Sequence, residues 1–272
     1  MLYTKVRRNV CCGGVNLEII VSKDNKKLKL LKSLSLKKNR DKTGLFSVEG
    51  KRMTNEALKY VGDKIEFVYA GEIFANENKN LLKAIDENGI SVYTVKDNLL
   101  KQVSDTVTPQ GIGAVLKMPD IPEVSEADKF VLVLDGVSEP GNLGTIIRTA
   151  EAAGIDRVYM MKGCADIFNP KVVRSTMGSI FRVPFICGCT ALDIKNIKNN
   201  GFEIISSSLG ESMDINEYNK NHKKRALVIG SEAFGVSDEI LAVSDKRVHI
   251  PMCGKVESLN AAVAAGILMY ML

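Results

Sequence analysis

The sequence predicts an α/β protein of two domains. Three features carry this expectation. Short strand-like and helix-like patterns alternate along the chain. Residues 130–134 are a continuous apolar run, as expected of a buried parallel strand. Residues 119–128 are acidic and twice interrupted by proline, as expected of a linker. With 272 residues the chain is long enough for two cores. Its 45% hydrophobic and 25% charged content is ordinary for globular proteins. No apolar run reaches the length of a membrane span, so no membrane partner is expected. Residues 1–15 lack the apolar core of a signal peptide and suggest a frayed extension or a short first strand. The cysteines, Cys11, Cys12, Cys164, Cys187, Cys189 and Cys253, form no C-x-x-C pair, and there are only 2 histidines. No metal site is therefore expected, and reduced thiols in a cytoplasmic setting are. Cys11 and Cys12 have no assignable role.

Charge is shared unevenly. Residues 1–118 hold 21 Lys and Arg against 13 Asp and Glu, and residues 119–272 hold 16 against 19. A basic front on a mildly acidic back suits an anionic polymer docking at the front. Within residues 22–42 there are nine basic and two acidic residues, with Leu28, Leu31 and Leu34 at helical spacing. One amphipathic helix with a cationic outer face is expected there, followed by a basic loop. Lys26, Lys27, Lys37, Lys38 and Arg40 are the candidate phosphate contacts.

The remaining elements follow from pattern and punctuation. In the first domain, strands are expected at 45–48, 65–70, 91–95 and 111–117, and helices at 52–60, 78–88 and 98–104. In the second, strands are expected at 130–134, 157–161, 183–187, 202–207, 225–229 and 247–250. Helices are expected at 142–154, with Asn142 near the N-cap and Gly154 as its stop, and at 191–199 and 261–272. A further helix starts at Pro170. Ser258 is the expected N-cap of the last helix. Asn142, Glu232 and the 258–260 loop each follow a strand, and open α/β sheets bind ligands beyond strand C-termini, so these positions can converge on one pocket. Glycines 141 and 144 lack the dinucleotide-binding spacing, which disfavours an oxidoreductase.

Three motifs now carry a resemblance: Asn142-x-Gly144-x-x-x-Arg148, then Gly230-x-Glu232-x-x-Gly235, then Ile250-Pro251-Met252-x-Gly254-x-x-x-Ser258-Leu259-Asn260. In order and separation they resemble the SpoU (TrmH) family of S-adenosylmethionine-dependent RNA 2′-O-ribose methyltransferases, of the SPOUT superfamily. More loosely, residues 37–50, with their basic run, strand and Glu49-Gly50, are similar to the small substrate-binding domain of many relatives. One departure is Ala261-Ala262, where many relatives have Val-Ser.

The resemblance implies residues 1–118 as an RNA-binding domain, 119–128 as linker and 129–272 as the catalytic domain. It implies a parallel sheet with a trefoil knot in that catalytic domain, and a homodimer. Gly230, Ile250, Met252, Gly254 and Leu259 would hold the methyl donor, and Asn142, Arg148, Glu232, Ser258 and Asn260 would form the catalytic site. Arg148 would activate the hydroxyl, by stabilising the developing alkoxide or by taking its proton. His249 is expected to be a strand residue rather than a base. The substrate would be structured RNA, with 23S ribosomal RNA favoured over transfer RNA. A non-catalytic RNA-binding or assembly protein on the same fold is the alternative.

Overall fold

The structure is a computed structural model that describes residues 9–12, 15–106, 108–120, 125–219 and 221–272. Residues 1–8 of the expected N-terminal extension and 121–124 of the expected linker lie outside the described residues. The chain divides into two compact units: residues 1–119 with Phe168–Pro170, and Asp120–Ile167 with Lys171–Leu272.

The first unit runs β1 (Asn9–Cys12), β2 (Val15–Ile20), α1 (Lys26–Ser33), α2 (Lys37–Thr43), β3 (Leu45–Glu49), α3 (Lys51–Val61), β4 (Ile65–Gly71), α4 (Glu72–Glu77), α5 (Lys79–Glu87), β5 (Val92–Val95), α6 (Asp97–Val103) and β6 (Ile112–Lys117). Its sheet has the order β1-β2-β5-β4-β6-β3. β2, β5 and β4 are parallel, and β1, β6 and β3 pair antiparallel to their neighbours. Leu28, Leu31 and Leu34 are buried with Ile20, Phe67 and Val115, so the expected apolar stripe is the docking face.

The basic segment is two helices, not the single one expected. Side chains take the carbonyls that would continue α1. Ser33 Oγ donates to Leu30 O at 2.7 Å and Asn39 Nδ2 to Ser33 O at 3.0 Å. Arg40 Nη1 donates to Leu34 O at 2.6 Å and Ser35 O at 2.9 Å. Similarly, the helix expected at 78–88 is preceded by a separate α4, closed where Asn78 Nδ2 donates to Phe74 O at 3.0 Å. The Glu49-Gly50 pair has a structural role: the Glu49 carboxylate accepts from Ser104 Oγ at 2.7 Å and Asp105 N at 3.0 Å, pinning the loop after α6.

The second unit runs β7 (Phe130–Asp135), α7 (Pro140–Ala152), β8 (Arg157–Met161), α8 (Pro170–Ser175), β9 (Phe185–Cys189), α9 (Ala191–Asn199), β10 (Glu203–Ser207), β11 (Met213–Asp214), β12 (Arg225–Gly230), α10 (Asp238–Leu241), β13 (Lys246–His249) and α11 (Ala261–Met271). Its seven strands, in the order β11-β13-β10-β12-β7-β8-β9, are parallel throughout. Val131 to Leu134 on β7 are fully buried, as a strand covered on both faces requires. Three boundaries differ from expectation. Helix α7 starts at Pro140, because Glu139 caps it and proline fits the first helical position, so Asn142 lies inside the first turn. β9 begins at Phe185, after a 3-10 turn at Ser179–Phe181. The N-cap of α11 is Asn260, not Ser258.

Asp128, at the end of the expected linker, is buried and accepts from Arg157 Nε at 2.8 Å. Removing one partner of a buried pair leaves an uncompensated charge, at a cost of about 3–5 kcal/mol. Asp128→Ala should therefore lower the thermal midpoint of this unit by roughly 10 °C; an unchanged midpoint would contradict the pairing.

Candidate active site

The C-terminal ends of β10, β12 and β13 open onto one cleft of about 660 Å3. Its walls come from the loops after those strands and from the start of α11. Ile229, Gly230, Ile250, Leu259, Ala264 and Leu268 form a largely apolar lining. That size and lining suit a small organic ligand held by backbone groups and aliphatic side chains.

Gly230 ends β12 at a point of close approach. A Cβ there would lie 2.0 Å from Gly235 C and 2.2 Å from Val236 N, so no other residue fits without moving the loop. The loop it serves is tightly closed. Ser231 N donates to Gly235 O at 2.9 Å and Gly235 N to Ser231 O at 3.0 Å. Gly235 has φ +68°, which glycine adopts freely. Below the loop, Ser237 N donates to the buried Asp135 carboxylate at the end of β7, at 2.8 Å. Glu232 is thus held on a rigid turn.

A single hydrogen-bond chain joins the three motifs. Asn260 Oδ1 accepts from Ala262 N at 2.9 Å and Val263 N at 3.4 Å, capping α11. Asn260 Nδ2 then donates to Asn142 Oδ1 at 3.0 Å, and Asn142 Nδ2 donates to Glu232 Oε1 at 2.5 Å. The direction is dictated at both ends: the helix terminus offers only donors and an ionised carboxylate only acceptors. Both amide orientations follow.

Met252, Ser258 and Leu259 also line the cleft. Gly254 is not among its lining residues, and a Cβ there would meet nothing within 4 Å. Arg148 is exposed and makes no hydrogen bond or ion pair among the described residues. Six residues beyond Asn142, it lies about 9 Å further along α7 and roughly 120° round it, so within one chain it points away from the Asn142 face. α7 is anchored on that other side. Gly144 packs against Val172 O and Ser175 Cβ, and the Glu151 carboxylate pairs with Arg182 and accepts from Ser179 Oγ. Arg182 holds the Glu151 carboxyl below its usual value, so this anchor is at full strength above the ordinary carboxylate range and is lost as the pH falls through that lowered value.

Sequence reasoning missed the loop after β10. Leu209 and Ser208 border the cleft, and Ser212 Oγ lies 3.0 Å from His249 Nδ1, placing His249 at the cleft wall. The signal was available, since this loop also follows a parallel strand. In the first unit, Lys26, Lys37 and Lys38 are exposed, while Lys27 Nζ lies 4.6 Å over the Phe67 ring. Arg40 is only 2% exposed and spends its guanidinium on backbone carbonyls, which corrects its assignment as a phosphate contact.

Residues 129–270 match the model of the SpoU rRNA methylase family, and residues 25–114 match that of the MRM3-like substrate-binding domain. The chain belongs to the SpoU rRNA methylase family. A family member from Bacillus subtilis, the 23S rRNA (guanosine(2553)-2′-O)-methyltransferase RlmP, is 38% identical over 92% of this chain and 97% of its own. The human mitochondrial rRNA methyltransferase 3 is 30% identical over 85% of this chain and 68% of its own. Among SpoU-family folds, the AdoMet-bound rRNA methyltransferase of Sinorhizobium meliloti superposes with a TM-score of 0.84 at 28% identity, covering 94% of this chain and 97% of that one.

Asn260→Ala removes a helix cap and the bond to Asn142. It should cost about 1 kcal/mol of stability and weaken ligand binding in the cleft. Gly230→Ala should leave the fold near wild type in circular dichroism yet abolish cleft binding; wild-type affinity in Gly230→Ala would contradict the close packing described.

Proposed function

We propose that the protein is an S-adenosylmethionine-dependent methyltransferase acting on a ribose 2′-hydroxyl of structured RNA, with 23S ribosomal RNA as the favoured substrate. The observation that carries this reading is the Asn260–Asn142–Glu232 chain beside a cleft at the strand ends. The ribosomal RNA activity named for the Bacillus subtilis relative supports the choice of substrate.

Gly230, Ile250, Met252 and Leu259 fit the donor by supplying backbone groups and apolar walls. When bound, the donor supplies a sulfonium methyl already activated for displacement. The chain's own task is to bring the hydroxyl into line and stabilise the charge it develops. Orientation alone can contribute about 7–11 kcal/mol. Asn142 and Glu232 keep the motif loops in register, and Ser258 and Asn260 face the incoming hydroxyl. Arginine stays protonated in proteins, so Arg148 acts as a fixed positive charge on the alkoxide and a neighbouring phosphate rather than as a base.

Since Arg148 points away from the cleft of its own chain, a homodimer is the arrangement in which it would serve the cleft of a second copy. Val263 and Tyr270, 51% and 65% exposed and seven residues apart on α11, offer an apolar stripe for that contact. A trefoil knot in the C-terminal segment of the catalytic domain and a cytoplasmic setting complete the reading. Lys26, Lys37 and Lys38 would grip phosphates without regard to sequence.

The decisive assay is transfer of a labelled methyl group from the donor to ribosomal RNA, with protection of one ribose from alkaline cleavage. Arg148→Ala should bind donor normally and lose turnover by at least about a hundredfold. Mixing Arg148→Ala with Asn260→Ala should restore about a quarter of the sites by random pairing; no restoration would place Arg148 outside the partner's cleft. RNA affinity should fall steeply with salt, and less steeply once Lys37 and Lys38 are replaced by alanine.

A further inference from the structure

Phe234 is 92% exposed, the most exposed large apolar side chain among the described residues. Single exposed apolar residues are ordinary on protein surfaces. This one differs in where and how it is held. It borders the cleft and sits two residues from Glu232. Its own backbone N–H donates to Ser231 Oγ at 3.1 Å, and the Ser231–Gly235 pair closes the turn beneath it. The ring is therefore presented by a pinned turn. Leu209, 68% exposed, borders the same cleft from the loop after β10.

We propose that Phe234 is a stacking platform for the base of the nucleotide whose ribose enters the cleft. The proposal rests on the RNA-methyltransferase reading above. A ribose in structured RNA reaches an enclosed site only if its nucleotide leaves the helical stack, and its base then loses its π-stacked neighbours. An aromatic face at the cleft mouth replaces one of them. Phenylalanine carries no hydrogen-bonding group, so the platform contributes grip and placement without reading base identity. The cleft's inner aliphatic wall, formed by other residues, is left to the methyl donor.

The test compares full-length Phe234→Ala, Phe234→Leu and Phe234→Trp with wild type on ribosomal RNA. Three quantities are read: kcat/KM for RNA, donor affinity without RNA, and oligomeric state. The platform predicts a roughly tenfold loss of kcat/KM for both Ala and Leu, the size of one lost base–aromatic stack, with Trp near wild type. Donor affinity and oligomeric state stay unchanged. An Ala variant as active as wild type overturns the proposal, as does a Leu variant that fully substitutes. Weakened donor binding would make Phe234 a cover for the cofactor, and a shift in oligomeric state would make it a subunit contact; either overturns it. Absence of methyl transfer by the wild-type protein would instead sink the underlying function, and this proposal with it.

Discussion

The side-chain amide of Asn142 is the joint on which the second unit's cleft depends. It accepts from the residue that caps α11 and donates to a carboxylate on the turn after β12. Three loops, separated by up to 118 residues, are thereby tied into one object. Each end of the chain is asymmetric, a helix N-terminus at one side and a carboxylate at the other, so the polarity has one solution. Without that tie, Asn260 would still cap α11 but would no longer be joined to the other two motifs.

The parallel sheet makes the tie possible. Parallel order sends every strand end to the same side, and β12 lies between β10 and β7. The loop after β7 leads to α7 and Asn142, and the loop after β12 carries Glu232. Asp135 at the end of β7 then holds the loop after β12 by accepting from Ser237 N, and Gly230, lacking a side chain, lets that loop close on its own strand end. A rigid frame thus presents a cleft whose apolar wall is bordered by polar groups such as Glu232, Ser258 and Asn260, an arrangement suited to donor placement and charge stabilisation.

Much of this was legible in the sequence, for identifiable reasons. Continuous apolar runs such as 130–134 exist only because a parallel strand is covered on both faces. The spacing of Leu28, Leu31 and Leu34 marked a docking face that the structure buries. Caps were harder. Glu139, Asn142 and Pro140 compete within four positions, and the winner depends on which side chain reaches a free amide. The break between α1 and α2 is set by Arg40, whose burial no local pattern announces, because basic residues around it are solvated. The loop after β10 carries no motif, and its place after a parallel strand was the one signal that could have found it. The direction of Arg148 was readable from helical geometry once α7 was placed.

The most direct test of the account is a double-mutant cycle between Asn142→Ala and Glu232→Ala, read as kcat/KM for methyl transfer. If one chain of hydrogen bonds holds the cleft together, breaking it at a second point costs little more than breaking it once, and the double variant matches the worse single one. Losses that simply multiply would show two independent residues and contradict the account.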